Sequence, residues 1–262
     1  MRVAALFRYP VKGFTRQECA SLHVLPGGRV AGDRVLGLRF HDATTADDAW
    51  GTKHQFAALV NTPGLTALRV ELDHATLQLR ATLAGDVLFD GVLDSDGRRR
   101  LASTVEQYIL GLDDNPLSAH PHRLPLRVVG DAMTSRYQDR EPGFTTLHGR
   151  GSLVAMAAAV DETPPLTERR FRSNVAVDGV DPWEEQRWVG RKLQIGDVAF
   201  EAAGPVTRCL GTHANPVTGQ RDRSMMTVLL DVFPAERPTF GILMTSEHGG
   251  TIRVGDGVEA SD

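Results

Sequence analysis

The sequence of 262 residues has only two cysteines, Cys19 and Cys209, which are separated by most of the chain. A disulfide-stabilised secreted protein needs several cysteines, and a structural zinc site needs closely spaced ligands, so neither is predicted. We therefore expect both cysteines to be reduced thiols.

The chain also lacks a long hydrophobic run and a large excess of either charge. The apolar stretch from Val3 to Phe7 is interrupted by Arg8, and it is too short for a signal peptide or a membrane span. A formal net charge of -4 gives no attraction to nucleic acid or to anionic lipid. These features predict a cytoplasmic globular protein that uses neither nucleic acid nor a membrane as a partner.

The common catalytic motifs are missing as well. The sequence contains no GxGxxG, Walker A, HExxH, GxSxG or CxxC pattern. The usual dinucleotide, nucleotide, zinc and serine-nucleophile sites are therefore not predicted.

Short segments of alternating polarity, separated by turn residues, predict a mainly β fold with few helices. Leu68–Leu72 and Thr76–Arg80 form a predicted hairpin. Glycine permits the positive φ of tight turns, and three Gly-Asp pairs mark such turns: Gly85-Asp86, Gly196-Asp197 and Gly255-Asp256.

Two helices are predicted, one over Thr104–Leu110 and one over about Ser152–Val160. Ser103 is the predicted N-cap of the first helix, and Gly111 is its predicted end. The segment that follows is rich in Asp, Pro and Asn, so we place a boundary near residue 118. Two β-rich domains are therefore expected, over residues 1–118 and 119–262.

Cationic, amide, hydroxyl and thiol groups concentrate between Arg169 and Thr218. Arg172 and Asn174 alternate on a candidate strand and would share one face, where they could hold an oxyanion or a phosphate. The alternative is an exposed edge strand whose arginine pairs with a nearby aspartate. The pattern alone leaves both interpretations open.

Cys209 is predicted to lie in an irregular segment, because Pro205 should break the preceding strand. The adjacent Arg208 would favour the thiolate, which attacks electrophiles and binds soft metals. A cysteine can equally be an inert buried residue. From the residues alone, a reactive or metal-ligating thiol and an inert one remain equally open.

Several segments along the chain form a recognisable set. They are Arg8-Tyr-Pro-Val-Lys-Gly13, Pro26-Gly-Gly-Arg-Val-Ala-Gly-Asp-Arg34, Phe171-Arg-Ser-Asn174, Asp181-Pro-Trp-Glu-Glu-Gln-Arg-Trp188, Thr207-Arg-Cys-Leu-Gly-Thr212 and Asn215-Pro-Val-Thr-Gly219. In this order and spacing they resemble the MOSC domain family, named for the carboxy-terminal domain of molybdenum cofactor sulfurases. The resemblance runs from about residue 3 to about residue 258.

This resemblance implies an amino-terminal β-barrel-like domain and a MOSC β-barrel that hold a molybdenum cofactor, molybdopterin, between them. It implies that Cys209 is both the metal ligand and the catalytic residue. At family level it also implies an association with pyridoxal phosphate binding. The implied cofactor contacts are Lys12, His54, Arg172, Asn174, Thr207, Arg208 and Thr212.

Two positions depart from the family pattern. Gly13 stands where many members have serine, and His54 stands where an arginine that binds phosphate is common, with Lys53 beside it. A histidine is only partly charged near neutral pH and cannot bind two oxygens as a guanidinium does.

Three functions remain open from the sequence. The first is a molybdenum-cofactor oxidoreductase that reduces small N-hydroxylated or related substrates with electrons from an external donor protein. The second is a sulfur or molybdenum-cofactor carrier that uses a persulfide on Cys209. The third is a binding module that kept the fold and lost the chemistry.

Overall fold

The computed structural model describes residues 1–160 and 166–261, and β-strands predominate in them, which confirms the mainly β fold class. The helices are α1 (Ser95–Leu110), α2 (Arg150–Val160) and α3 (Met225–Val232). The strands are β1 (Arg2–Arg8), β2 (Gln17–Cys19), β3 (Ser21–Val24), β4 (Gly37–Arg39), β5 (Leu68–Asp73), β6 (Gln78–Leu83), β7 (Asp86–Val92), β8 (Arg127–Val129), β9 (Thr145–Gly149), β10 (Val175–Asp178), β11 (Lys192–Ile195), β12 (Val198–Thr207), β13 (Thr239–Thr245), β14 (Gly250–Arg253) and β15 (Val258–Ser261).

Eight of these strands form one sheet in the order β15-β11-β12-β13-β9-β10-β1-β2. Only β9 and β10 pair in parallel; the other neighbours in this sheet are antiparallel. The hydrogen-bonded order of the described strands is open at β15 and β2 and does not close into the ring of a barrel. Strands from both sides of residue 118 share this sheet, and the division into two domains there stays a prediction.

A smaller antiparallel sheet, β5-β6-β7, packs against α1. The alternation in β5 buries Leu68, Val70 and Leu72 on one face, and β5 pairs with β6 as the predicted hairpin. Helix α1 ends before Gly111 as predicted, but it begins at Ser95, nine residues earlier than expected. The Asp94 side chain accepts a hydrogen bond from the Gly97 backbone N–H at 2.8 Å and so caps the helix in place of Ser103.

The prediction that Pro205 breaks its strand is wrong. Strand β12 continues through Pro205 to Thr207, and its register with β13 shifts between these two residues. Proline is tolerated at such an irregularity because its missing N–H breaks no ladder bond there. The chain leaves the sheet just after Thr207, so Arg208 and Cys209 still lie in an irregular segment.

Each of the three predicted Gly-Asp turns has its glycine at positive φ. The turn at Gly85 joins β6 to β7, and the turn at Gly196 joins β11 to β12; each pair consists of antiparallel neighbours within a sheet. The turn at Gly255 instead joins β14 and β15, which belong to different sheets. No α-helix in residues 1–160 and 166–261 is both long and apolar enough to cross a membrane.

Candidate functional site

The ends of several strands of the large sheet surround one open cleft. Strand β1 runs antiparallel to β10, and β10 runs parallel to β9, so the end of β1 lies beside the beginnings of the other two. Lys12 follows β1, Thr146 lies near the beginning of β9 and Arg172 precedes β10. All three line the cleft, which encloses about 1090 Å³ with its open mouth included.

The structure brings six of the predicted site residues into the lining of this cleft and leaves two outside it. The six are Lys12, Arg172, Thr207, Arg208, Cys209 and Thr212. His54 and Asn174 are the two that do not line it. The roles of all eight as catalytic, metal-binding or cofactor-binding residues stay predictions.

The lining of the cleft is strongly cationic. Of the residues that line it in the described part of the chain, Asp139 is the one acidic residue. Seven lysines and arginines accompany it: Lys12, Arg34, Lys53, Arg140, Arg170, Arg172 and Arg208. Such an excess of positive charge in a concave site favours an anionic ligand.

Two of these arginines bond to the backbone instead of to carboxylates. Arg172 donates to the carbonyl of Phe14, and Arg208 donates to the carbonyls of Phe171 and Phe240. Within the described residues neither forms an ion pair. Burial lowers the pKa of both guanidinium groups to about 10, so each is still charged at neutral pH. Both side chains are partly buried. A partly buried charge without a counterion is costly, and an anionic ligand would offset that cost.

The prediction that Arg172 and Asn174 share a strand face is wrong. Strand β10 begins at Val175, and Arg172 has φ of +57°, in the left-handed region that residues other than glycine rarely adopt. This backbone conformation directs the guanidinium over the ring of Tyr9, 4.3 Å from the ring centroid. Alternation along a strand therefore does not apply at this position.

Lys12 is almost fully buried, and two oxygens hold its ammonium group. Its Nζ donates to the Tyr137 carbonyl at 2.9 Å and to Asp139 Oδ1 at 2.6 Å. Burial lowers the pKa of Lys12, and the neighbouring Asp139 acts against this shift. The surrounding cleft wall would by itself raise the pKa of Asp139, but Lys12 keeps this pKa well below its usual range.

The loop that carries Cys209 is fixed by its own hydrogen bonds. The backbone N–H and the side-chain hydroxyl of Thr212 both donate to the Cys209 carbonyl at 2.9 Å, which closes a tight turn. The N–H of Arg208 donates to the Pro238 carbonyl at 2.8 Å. The backbone of this loop is therefore held in place, and the half-buried Cys209 side chain lies in the cleft wall. The described residues contain no group of three or more His, Cys, Asp or Glu side chains arranged to hold a metal.

The two departures from the family pattern have different structural settings. His54 is exposed and lies outside the lining, whereas its neighbour Lys53 lines the cleft. Gly13 has φ of +88°, and a Cβ there would lie 3.2 Å from the backbone of Ala57 and Ala58. A serine at this position would therefore be strained and crowded, so the glycine suits the local backbone.

Asn174 is fully buried beside the cleft and bonds through both ends of its amide. Its Oδ1 accepts from the hydroxyl of Thr146 at 3.0 Å and from the backbone N–H of the same residue at 3.2 Å. Its Nδ2 donates to the Phe7 carbonyl at 3.1 Å and to Asp33 Oδ1 at 3.4 Å. The amide thus links the strands that carry the cleft.

We expect Asn174→Ala to lower the free energy of unfolding by about 2–3 kcal/mol, because several buried polar groups would lose their partner. Urea unfolding monitored by fluorescence would measure the change. Asn115→Ala is the matched control, since Asn115 makes its hydrogen bonds in a surface turn where water can replace them. Equal effects of the two substitutions would contradict the linking role of Asn174.

Sequence reasoning missed four charged residues of the lining, namely Arg34, Asp139, Arg140 and Arg170. Arg34 could have been predicted, because it ends one of the segments that carry the family resemblance. Arg170 precedes another such segment, and it pairs with Asp222 at 2.8 Å. Asp139 carries no local signal, because its importance depends on its contact with Lys12, 127 residues away.

Comparison with known proteins finds a domain family that matches the carboxy-terminal part of the chain. Residues 146–259 match the model of the MOSC domain. Human mitochondrial amidoxime-reducing component 1 is 27% identical over 98% of this chain and 82% of its own length. Human mitochondrial amidoxime reducing component 2 is 31% identical over 59% of this chain and 42% of its own length.

Molybdenum cofactor sulfurase of Caenorhabditis briggsae is 29% identical over 51% of this chain and only 18% of its own length. The chain therefore spans less than half the length of this relative and of the human component 2. A solved structure, the YuaD protein of Bacillus subtilis, has a TM-score of 0.44 and 12% identity over 99% of this chain and 94% of its own. The match over residues 146–259 shows that this chain contains a MOSC domain.

Proposed function

We propose that this protein binds a molybdenum cofactor in the cationic cleft and reduces small N-hydroxylated substrates there. The observation that carries the proposal is the position of Arg172 and Arg208. Both are charged, lack a carboxylate partner in the described residues, and line the same cleft as the Cys209 thiol. A guanidinium binds phosphate in a bidentate manner, and a thiolate is a soft metal ligand.

The residues present fit a ligand that joins an anionic group to a soft metal. The phosphate of the pterin would be held by Lys12, Arg172 and Arg208. Lys53 would provide the additional positive charge there, because it lines the cleft and His54 does not. Cys209 would provide the protein's ligand to molybdenum. Thr212 would act indirectly, because its hydroxyl already holds the Cys209 carbonyl.

When bound, the cofactor would supply two-electron redox chemistry at its metal. Reduction of an amidoxime to an amidine consumes two electrons and two protons, breaks the N–O bond and releases the oxygen as water. The protein would position the substrate beside Cys209. The electrons would come from a separate donor protein.

The test is metal and pterin analysis of protein made in a host that synthesises the cofactor. We expect molybdenum and pterin close to one per chain in the wild type and in Cys19→Ala, and a loss of molybdenum in Cys209→Ala. Cys19 is a suitable control because it is a half-buried thiol in β2 that does not line the cleft.

The same preparations distinguish the carrier alternative. A chain that carries one extra sulfur on Cys209, removable by reductant and seen in the intact mass, would favour a sulfur carrier. Wild-type protein that contains neither molybdenum nor pterin would overturn the proposed function.

A further inference from the structure

Asp139 places a negative charge in the wall of a cleft whose other charged lining residues are cationic. It forms an ion pair with Lys12, and among the described residues that line the cleft it is the one with an acidic side chain. Both partners of the ion pair lie in the wall, but they differ in accessibility. The Lys12 side chain is 5% exposed and that of Asp139 is 64% exposed. The carboxylate can therefore turn into solvent, whereas the ammonium group cannot.

The backbone that carries Asp139 is anchored independently of this ion pair. Arg29 donates hydrogen bonds to the carbonyls of Ser135, Glu141 and Pro142, on both sides of Asp139. Lys12 also keeps a second bond, to the Tyr137 carbonyl. Release of Lys12 thus needs only a rotation of the Asp139 side chain, and the loop stays in place.

We propose that Asp139 makes the cleft selective for ligand groups with two or more negative charges. This inference rests on the proposed function, since the phosphate of the cofactor is the group concerned. A monovalent anion that replaces the carboxylate at Lys12 gains one charge contact and loses one. A phosphate monoester or a pyrophosphate that replaces the carboxylate keeps further charge for Arg172 and Arg208, which line the same cleft and have no carboxylate partner in the described residues, so such ligands gain more than a monovalent anion does.

Pyrophosphate and acetate are suitable probes, because they differ in charge and need no metal. Full-length protein from a host that cannot make the cofactor would be titrated with each probe by calorimetry. We expect wild type to bind pyrophosphate and not to bind acetate. Asp139→Asn should bind pyrophosphate about tenfold more tightly and gain measurable acetate binding, since the internal competitor is gone.

Two variants serve as controls. Asp139→Glu keeps the charge and should behave as wild type. Glu141→Gln removes an exposed carboxylate from the same loop, outside the lining, and should leave both affinities unchanged. A melting curve of each variant would verify that it is folded.

A competition experiment tests the inference without any substitution. Excess acetate should leave pyrophosphate binding by wild type unchanged at constant ionic strength. Displacement by acetate, or an Asp139→Asn variant that binds pyrophosphate no more tightly than wild type, would overturn the role of Asp139. Absence of pyrophosphate binding in every variant would overturn it too. The proposed function fails by a separate result, namely wild-type protein without molybdenum and pterin that still binds pyrophosphate.

Discussion

Cys209→Ala is expected to lower the rate of amidoxime reduction by more than about 100-fold, beyond the loss typical of changes to residues around a metal ligand. Cys209 is the thiol that lines the cleft, and its loop is fixed by two hydrogen bonds from Thr212. Removal of the sulfur would leave the metal without its protein ligand. The rate would be measured with an aryl amidoxime and a reduced viologen dye, so that no donor protein is needed.

Cys19→Ala should keep the wild-type rate, because this thiol lies in β2 and does not line the cleft. Cys209→Ser tests the chemistry of the ligand, since a hydroxyl has nearly the same size but is a poor soft-metal ligand. It should resemble Cys209→Ala. A Cys209→Ala protein that keeps both its molybdenum and its rate would contradict the assignment of this thiol.

The β-rich fold could be predicted because strand alternation is a local signal. Leu68–Asp73 shows it clearly, and the hairpin with β6 formed as expected. The beginning of α1 was missed because the segment from Asp94 to Gly97 has the composition of a turn. Its aspartate instead caps a helix whose buried face, at Leu101, Val105 and Ile109, packs against the sheet. The packing against the sheet outweighs the local turn preference.

The site could be predicted only in part, for a related reason. The motifs marked Lys12, Arg172 and Arg208, and the fold brings all three into one cleft. The orientation of each side chain depends on contacts that sequence spacing does not contain. Asn174 faces the interior and not the cleft, and Asp139 meets Lys12 through a long-range contact.

Arg172→Gln is expected to lower the cofactor content of the purified protein by about tenfold or more. A hydrogen bond to a charged group contributes about 1.5–3 kcal/mol, and about 1.4 kcal/mol corresponds to a tenfold change in affinity. Arg172 has no carboxylate partner in the described residues, so its charge is available to a phosphate. Pterin released from equal amounts of wild type and variant would be quantified by fluorescence.

Arg172→Lys is the matched control because it keeps the charge and meets the same left-handed backbone, which strains glutamine and lysine alike. It should retain most of the cofactor, although it loses the bidentate geometry. Loss of cofactor in the wild type should also rise with salt concentration, more steeply than in Arg172→Gln, because the variant has one charge contact fewer. Equal pterin content in Arg172→Gln and Arg172→Lys would show that the charge at this position does not hold the cofactor, and the anionic end would then have to bind at Lys12 and Arg208 alone.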